Sequence, residues 1–326
     1  MKLSRFSRSK NKNSSTDIIP YELRNKKKSF WQEAVRDKWL YILFLPTFIW
    51  FIMFAYVPML GNVIAFYDFN IFQGLEGSDF AGLRHFRVLF RDPYFARLFR
   101  NTLLINVFGL IFGFPLPIIL AVALNEIKNK RFKKVSQTIS YLPYFLSAVV
   151  VMSIAKYFVA TDGPINLIAS WFGAEPTNFL IHAEYFRTIF TTTNIWQNTG
   201  FSSIIYLAAL TNIPTEQYEA SDIDGANKFQ KLWFITLPNL IPVISIQLLL
   251  SLGSIMSVGH EKIILIYNAS IYETADVFNT YVYREGLSAN RYSYAQAVSM
   301  FQSVVGLILV FSSNKIVQKL DGTSLW

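Results

Sequence analysis

WLYILFLPTFIWFIMFAYVPMLGNVIAFY, residues 39–67, carries no charged side chain before its end. A helix crossing a bilayer needs about 20 consecutive, mainly apolar residues, and this stretch exceeds that length. It is too long for the apolar core of a secretory leader and lacks a small-residue cleavage site, so it reads as an uncleaved signal-anchor. The composition of the 326-residue chain agrees, with 52% hydrophobic and 16% charged residues, against about 25% charged in soluble domains. Its 30 Phe and 17 Tyr suit side chains that face lipid and anchor at its edges.

Outward from this stretch, five more apolar segments follow, giving predicted spans of roughly 40–66, 101–124, 138–159, 187–211, 236–258 and 292–314. The fold class predicted is all-α: a polytopic membrane protein of six transmembrane helices. The fourth span, FRTIFTTTNIWQNTGFSSIIYLAAL, is the weakest by hydropathy and is kept because its polar residues cluster. The domain division is a basic tail over 1–38, with scope for an interfacial helix, and a transmembrane domain over 39–326.

Orientation follows from Lys and Arg counts in the connecting segments. The tail over 1–38 holds eleven, the 125–137 loop five, the 212–232 loop two and the C-terminal tail two, against eight in the opposite loops. The richer side is read as cytoplasmic, with both termini inside. The arginines of RHFRVLFRDPYFARLFR, residues 84–100, run against this rule, and the segment reads as one amphipathic helix lying on the outer surface. The net charge of +9 sits in particular loops without a nucleic-acid motif, so no nucleic-acid partner is expected. Anionic lipid is one candidate for the basic tail.

The chain shows no chemistry of its own. It has no cysteine and no Gly-Lys dipeptide, which excludes thiolate metal sites and a phosphate-binding P-loop. His85, His182 and His260 are scattered, and no metal site is expected. Glu261, Glu273, Asp276 and Glu285 cluster in an outer loop, where a solvated face or docking surface is favoured over acid–base catalysis. No catalytic residue and no cofactor is assigned to this chain.

One polar block interrupts the apolar sequence: YEASDIDGANKFQKLWFITLP, residues 218–238. Pro214 suits the first turn of a helix, and Glu216 and Glu219 favour its positive end. Gly225 can adopt the left-handed conformation that ends it. A second short helix through Lys228 and Lys231 then leads into Leu237-Pro238. By itself this is either an ordinary solvated loop or a compact helix–turn–helix on the cytoplasmic face.

The block resembles the EAA loop of ABC importer permeases. Glu219-Ala220-Ser221 is followed after three residues by Gly225, and nine residues later by Ile235-Thr236-Leu237-Pro238. Ser221 in place of a second Ala is the single departure. The segments NIWQNTGFSSIIYLAALTNIPTEQYEASDIDGA, YNASIYETADVFNTYVYREGL, YSYAQAV and the terminal SLW are similar to oligo- and polysaccharide permeases of Gram-positive carbohydrate uptake. The resemblance runs from about residue 35 to the end. It implies that Glu219, Ala220, Asp224, Gly225, Leu237 and Pro238 couple this chain to a separate ATPase, which binds ATP and Mg. It further implies a second homologous permease, two ATP-binding cassette subunits, an extracellular sugar-binding protein docking on the 259–291 loop, and a plasma-membrane location.

Polar groups within a span mark a wet path or bind helices together. In span four Asn194, Gln197 and Asn198 are spaced to share a helical face beside Trp196. Gln247, Ser251 and Ser254 repeat the arrangement in span five, and Ser299, Gln302 and Ser303 in span six. The serines read as helix–helix ties. Asn194, Trp196, Gln197, Asn198, Gln247 and Gln302 are the candidates for a substrate path. Two other classes stay open: an ion-coupled secondary sugar transporter, which would need intramembrane acids or histidines, and a membrane-bound sugar sensor.

Overall fold

The computed structural model describes residues 36–321; most of the basic tail and the terminal SLW lie outside them. The chain divides after Gly61 into two units. In the first, α1 (Lys38–Phe51) leads through a π-turn (Ile52–Tyr56) into α2 (Val57–Leu60).

The second unit opens with a feature the sequence reading missed, a hairpin of β1 (Tyr67–Asn70) and β2 (Gly74–Phe80), paired antiparallel. Asn70 favours the turn, because its Oδ1 accepts from the Phe72 amide at 2.9 Å. Next come α3 (Arg84–Arg91) and α4 (Phe95–Phe108). The single amphipathic helix expected over 84–100 is therefore two. Asp92 leaves the helical conformation because Pro93 follows it, and its carboxylate then caps the Tyr94 amide at 2.8 Å. A π-turn (Gly109–Gly113) joins α4 to α5 (Pro115–Glu126). Then follow α6 (Lys130–Tyr141), α7 (Ala148–Val159), α8 (Pro164–Ser170) and α9 (Ala183–Thr211).

The third span, expected over 138–159, is not one helix. Leu146 and Ser147 are extended, and the Ser147 hydroxyl caps α7 through the Val150 amide. The apolar helical run here is Ala148–Ser170. After α9 come α10 (Thr215–Ile223), α11 (Lys228–Lys231), a π-turn (Leu232–Thr236) and α12 (Leu237–Gly253). The remaining helices are α13 (His260–Ile266), α14 (Tyr272–Ala275), α15 (Phe278–Tyr283) and α16 (Tyr292–Asp321).

Five helical runs among the described residues are long and apolar enough to cross a membrane: Lys38–Phe66, Phe95–Glu126, Ala148–Ser170, Lys228–Gly253 and Tyr292–Lys315. α9, at 29 residues, has the length but not the hydropathy. Three of the five share a device: each π-turn ends two residues before a proline, at Pro58, Pro115 and Pro238. Proline lacks an N–H and its ring crowds the carbonyl four residues back, so a wider turn absorbs the mismatch.

The second unit packs around three apolar clusters. Ile105, Met152, Phe190 and Ile263 join α4, α7, α9 and α13. Leu89, Leu98, Phe278 and Val298 join α3, α4, α15 and α16. Ala121, Tyr206, Leu210 and Leu240 join α5, α9 and α12. The 259–291 segment supplies Ile263, Ile266, Ile271, Ala275, Val277 and Phe278 to these cores, so part of it is buried structure.

Candidate functional site

A cavity of about 1160 Å³ opens between α4–α5, α9, α12 and α13. Asn194 and Asn198 enter it from α9 and Gln247 from α12. On α9 each asparagine amide donates to the carbonyl one turn back: Asn194 Nδ2 to Phe190 at 2.9 Å, and Asn198 Nδ2 to Asn194 at 2.7 Å. That local bond fixes the rotamer and turns each Oδ1 outward. The Asn198 Oδ1 and the whole Gln247 amide have no side-chain partner among the described residues, so both can serve hydroxyl groups in the cavity.

The other three candidates lie outside the lining. Trp196 is exposed elsewhere on α9. Gln197 is buried and donates to the Leu146 carbonyl at 3.1 Å, across the break between α6 and α7; its Oε1 has no partner. The face expected to hold Asn194, Gln197 and Asn198 together thus splits, with Gln197 a packing tie. Gln302 donates to the Met256 carbonyl at 2.6 Å and to Asn279 Oδ1 at 3.0 Å, tying α16 to the segments before α13 and in α15. The serines do not tie helices together as expected. Ser251, Ser254 and Ser303 donate to carbonyls three or four residues earlier in their own chain segment, the local pattern that competes with helix contacts.

Among the polar residues of the wall that sequence reasoning missed are Asn106 and Lys262. Asn106 donates to the Ile255 carbonyl at 2.7 Å, holding α4 to the end of α12. Lys262, from α13, donates to Asn194 Oδ1 at 2.5 Å. Burial holds its ammonium below the usual lysine range. The signal was the apolar run Ile263–Ile266 beside it, which marks this stretch of the loop as buried.

The polar block of residues 218–238 folds at the opposite ends of the same two helices, α9 and α12. Pro214 precedes α10 as its cap, and Gly225 has φ of +76°, the left-handed conformation that glycine adopts without strain. The Ala226 amide returns to the Ser221 carbonyl at 2.9 Å and closes the turn. Asn227 and Gln230 then exchange side-chain and backbone bonds of 2.9 and 2.7 Å, a capping box that starts α11. Lys231 pairs with Asp222, and Tyr218 Oη meets Thr236 Oγ1 at 3.0 Å. These contacts make α10 and α11 one rigid corner. Its outer face offers Glu219, Ala220, Asp224 and Gly225, all exposed, beside an Ile223 that is 88% exposed. Leu237 is half-buried and Pro238 exposed at the start of α12.

The acids expected on a solvated outer face separate. Asp276 is buried; Arg284 grips it at 2.9 and 3.3 Å, and Tyr267 and Thr280 donate to it at 2.7 and 2.8 Å. It is a structural ion pair, not a docking charge. Tyr281 and Tyr294 both donate to Asp92 Oδ2, at 2.5 and 2.8 Å, locking α15 and α16 to the α3–α4 corner.

Comparison with known proteins agrees with this geometry. Residues 113–320 match the family of binding-protein-dependent transport system inner membrane components. The Polygalacturonan/rhamnogalacturonan transport system permease protein YteP of Bacillus subtilis (strain 168) is 42% identical over 93% of this chain and 95% of its own. Protein LplB of the same organism is 41% identical over 91% and 94%. A chain of a bacterial ABC transporter involved in the import of the acidic polysaccharide alginate superposes with a TM-score of 0.81 at 41% identity, covering 90% of this chain and all of that one. A second structure, of the bacterial alginate ABC transporter in complex with alginate pentasaccharide-bound periplasmic protein, gives 0.81 at 40% identity.

Proposed function

The chain belongs to the binding-protein-dependent transport system inner membrane components, a polytopic all-α permease, and from that premise we propose that it forms half of the pore of an ATP-driven oligosaccharide importer. A second, homologous permease completes the pore. Two ATP-binding cassette subunits bind ATP and Mg and drive it through residues 214–238, and an extracellular sugar-binding protein delivers the substrate. The chain crosses a Gram-positive plasma membrane six times, α9 included, with both termini inside.

One observation carries the coupling. α9 and α12 are joined through the α10–Gly225–α11 corner, and the same two helices carry Asn194, Asn198 and Gln247 into the cavity. A force on the corner therefore reaches the cavity wall through the continuous helical run Lys228–Gly253 and, across the short turn at residues 212–214, through α9. Closure of the ATPases would bias the two orientations of these helices, which is how binding energy shifts a conformational equilibrium. The saccharide reading is supported by the saccharide transport of the relatives and by the free Asn198 Oδ1 and Gln247 amide.

The test is Glu219→Ala and Gly225→Val in the complete importer, reconstituted in proteoliposomes. Both variants should reach the membrane, with oligosaccharide uptake reduced about ten-fold or more, as expected for loss of a coupling energy. Full uptake with a normal ATPase response overturns the coupling assignment.

A further inference from the structure

Among the described residues, two formally charged side chains line the cavity, Glu261 and Lys262, adjacent on α13. They differ in setting. Glu261 is exposed in the first turn of α13, where the helix's N-terminal end favours a carboxylate. Lys262 is half-buried, and its Nζ is held 2.5 Å from Asn194 Oδ1. No carboxylate among the described residues pairs with it. An amide satisfies one of the three ammonium protons and none of the charge. Keeping an unpaired cation partly out of water is costly, and a glutamine could make the same bond to Asn194 without that cost. The charge therefore has a use that the bond to Asn194 does not explain.

The rest of the wall shows what that use is. Asn198, Gln247 and Ser251 offer neutral donors and acceptors suited to sugar hydroxyls, and α9 and α12 bring no charge to the cavity. We propose that Lys262 is a specificity-determining residue of the translocation cavity, which takes oligosaccharides whose sugar units carry carboxylates, with Lys262 as the counter-charge and Asn194 as the group that aims it. This rests on the oligosaccharide-importer reading above and narrows its substrate class.

The test uses the permease–ATPase complex in nanodiscs without its binding protein, so that the cavity alone selects. Calorimetric titrations compare an α-1,4-linked galacturonate tetrasaccharide with its carboxyl-reduced, neutral counterpart. The complex should prefer the acid. K262Q should weaken binding of the acid by about ten-fold or more, as for truncating one partner of a desolvated charge pair, and leave the neutral sugar within about two-fold, while K262R retains most of the acid affinity. If the neutral sugar binds as well as the acid, or if K262Q weakens both alike, the acidic class is overturned and the importer reading stands. If neither sugar binds, the oligosaccharide reading falls as well. Should K262Q fail to assemble, the salt dependence of the unmodified complex decides. Affinity for the acid should fall with rising KCl while that for the neutral sugar stays level; parallel curves overturn the proposal.

Discussion

Gly200→Ala should damage the protein more than its size suggests. Gly200 lies buried in α9, and a methyl group there would sit 1.8 Å from the Ser140 carbonyl oxygen, 2.3 Å from its carbon and 3.0 Å from the Tyr141 nitrogen. These are main-chain atoms at the end of α6, so no side-chain rotamer relieves the overlap. Restoring even a 3.0 Å contact with the oxygen requires α6 to retreat by about 1.2 Å, the difference between 3.0 and 1.8 Å. Overpacking of this kind costs about 1–3 kcal/mol and occasionally more; the overlap here argues for the upper end, near ~3. Alanine recovers about 1 kcal/mol of helix propensity, leaving a net loss of about 2 kcal/mol, roughly a thirty-fold shift in the folding equilibrium. The retreat would also strain the bond from Gln197 to Leu146, three residues from Gly200. Gly109→Ala is the control: it lies in the π-turn between α4 and α5, and a methyl group there meets nothing within 4 Å. It should be neutral or stabilising by up to about 1 kcal/mol. The assay is thermal unfolding of both variants in the assembled complex in nanodiscs. Gly200→Ala with unchanged or raised stability would refute the close approach of α6 to α9.

Asn198→Ala and Gln247→Ala should each weaken oligosaccharide binding several-fold, because one to two hydrogen bonds of about 1 kcal/mol are lost; Trp196→Ala, outside the cavity, should stay within about two-fold in the same calorimetric titration. Asp276→Asn removes the charge facing Arg284 and should destabilise the outer segment by about 2–3 kcal/mol, measured as earlier thermal unfolding and faster amide exchange over 267–284. Asp92 sets an acid limit on stability. Burial raises its pKa, but hydrogen bonds from Tyr281, the Tyr94 amide and Tyr294, with the charge of Arg291, outweigh that and hold it below the ordinary 3.8. Its contribution is complete above that ordinary value and is lost as pH falls through the lowered one. Asp92→Asn should therefore flatten the acid limb of a stability–pH profile by lowering stability near neutrality while changing little below the lowered pKa; an unchanged limb would count against the assignment.

Local features were legible where a residue type acts alone. The apolar runs followed from the length a bilayer demands, and Pro214, Gly225 and the Lys228–Lys231 turn followed from backbone preferences that neighbours do not alter. Features set by distant contacts were not legible. Gln197 and Asn198 are adjacent and chemically alike, yet one grips a carbonyl fifty-one residues earlier and the other faces open space. Asp276 resembled any loop acid until folding placed Arg284, Tyr267 and Thr280 around it. The break at Leu146–Ser147 lay hidden inside an apolar stretch, because hydropathy averages over a window and does not register where a helix ends.

The sequence by itself determined that this chain crosses a membrane repeatedly and carries one polar block that bends at Gly225, since both depend on composition, spacing and the conformations of proline and glycine. Only the tertiary structure decided which polar groups face the cavity. Every polar group on a crowded helix has several possible partners, and packing between helices α4, α9, α12 and α13 selects among them. That selection left Asn198 and Gln247 free, took Gln197 and Gln302 into the framework, and brought Lys262 from a connecting segment to the cavity wall.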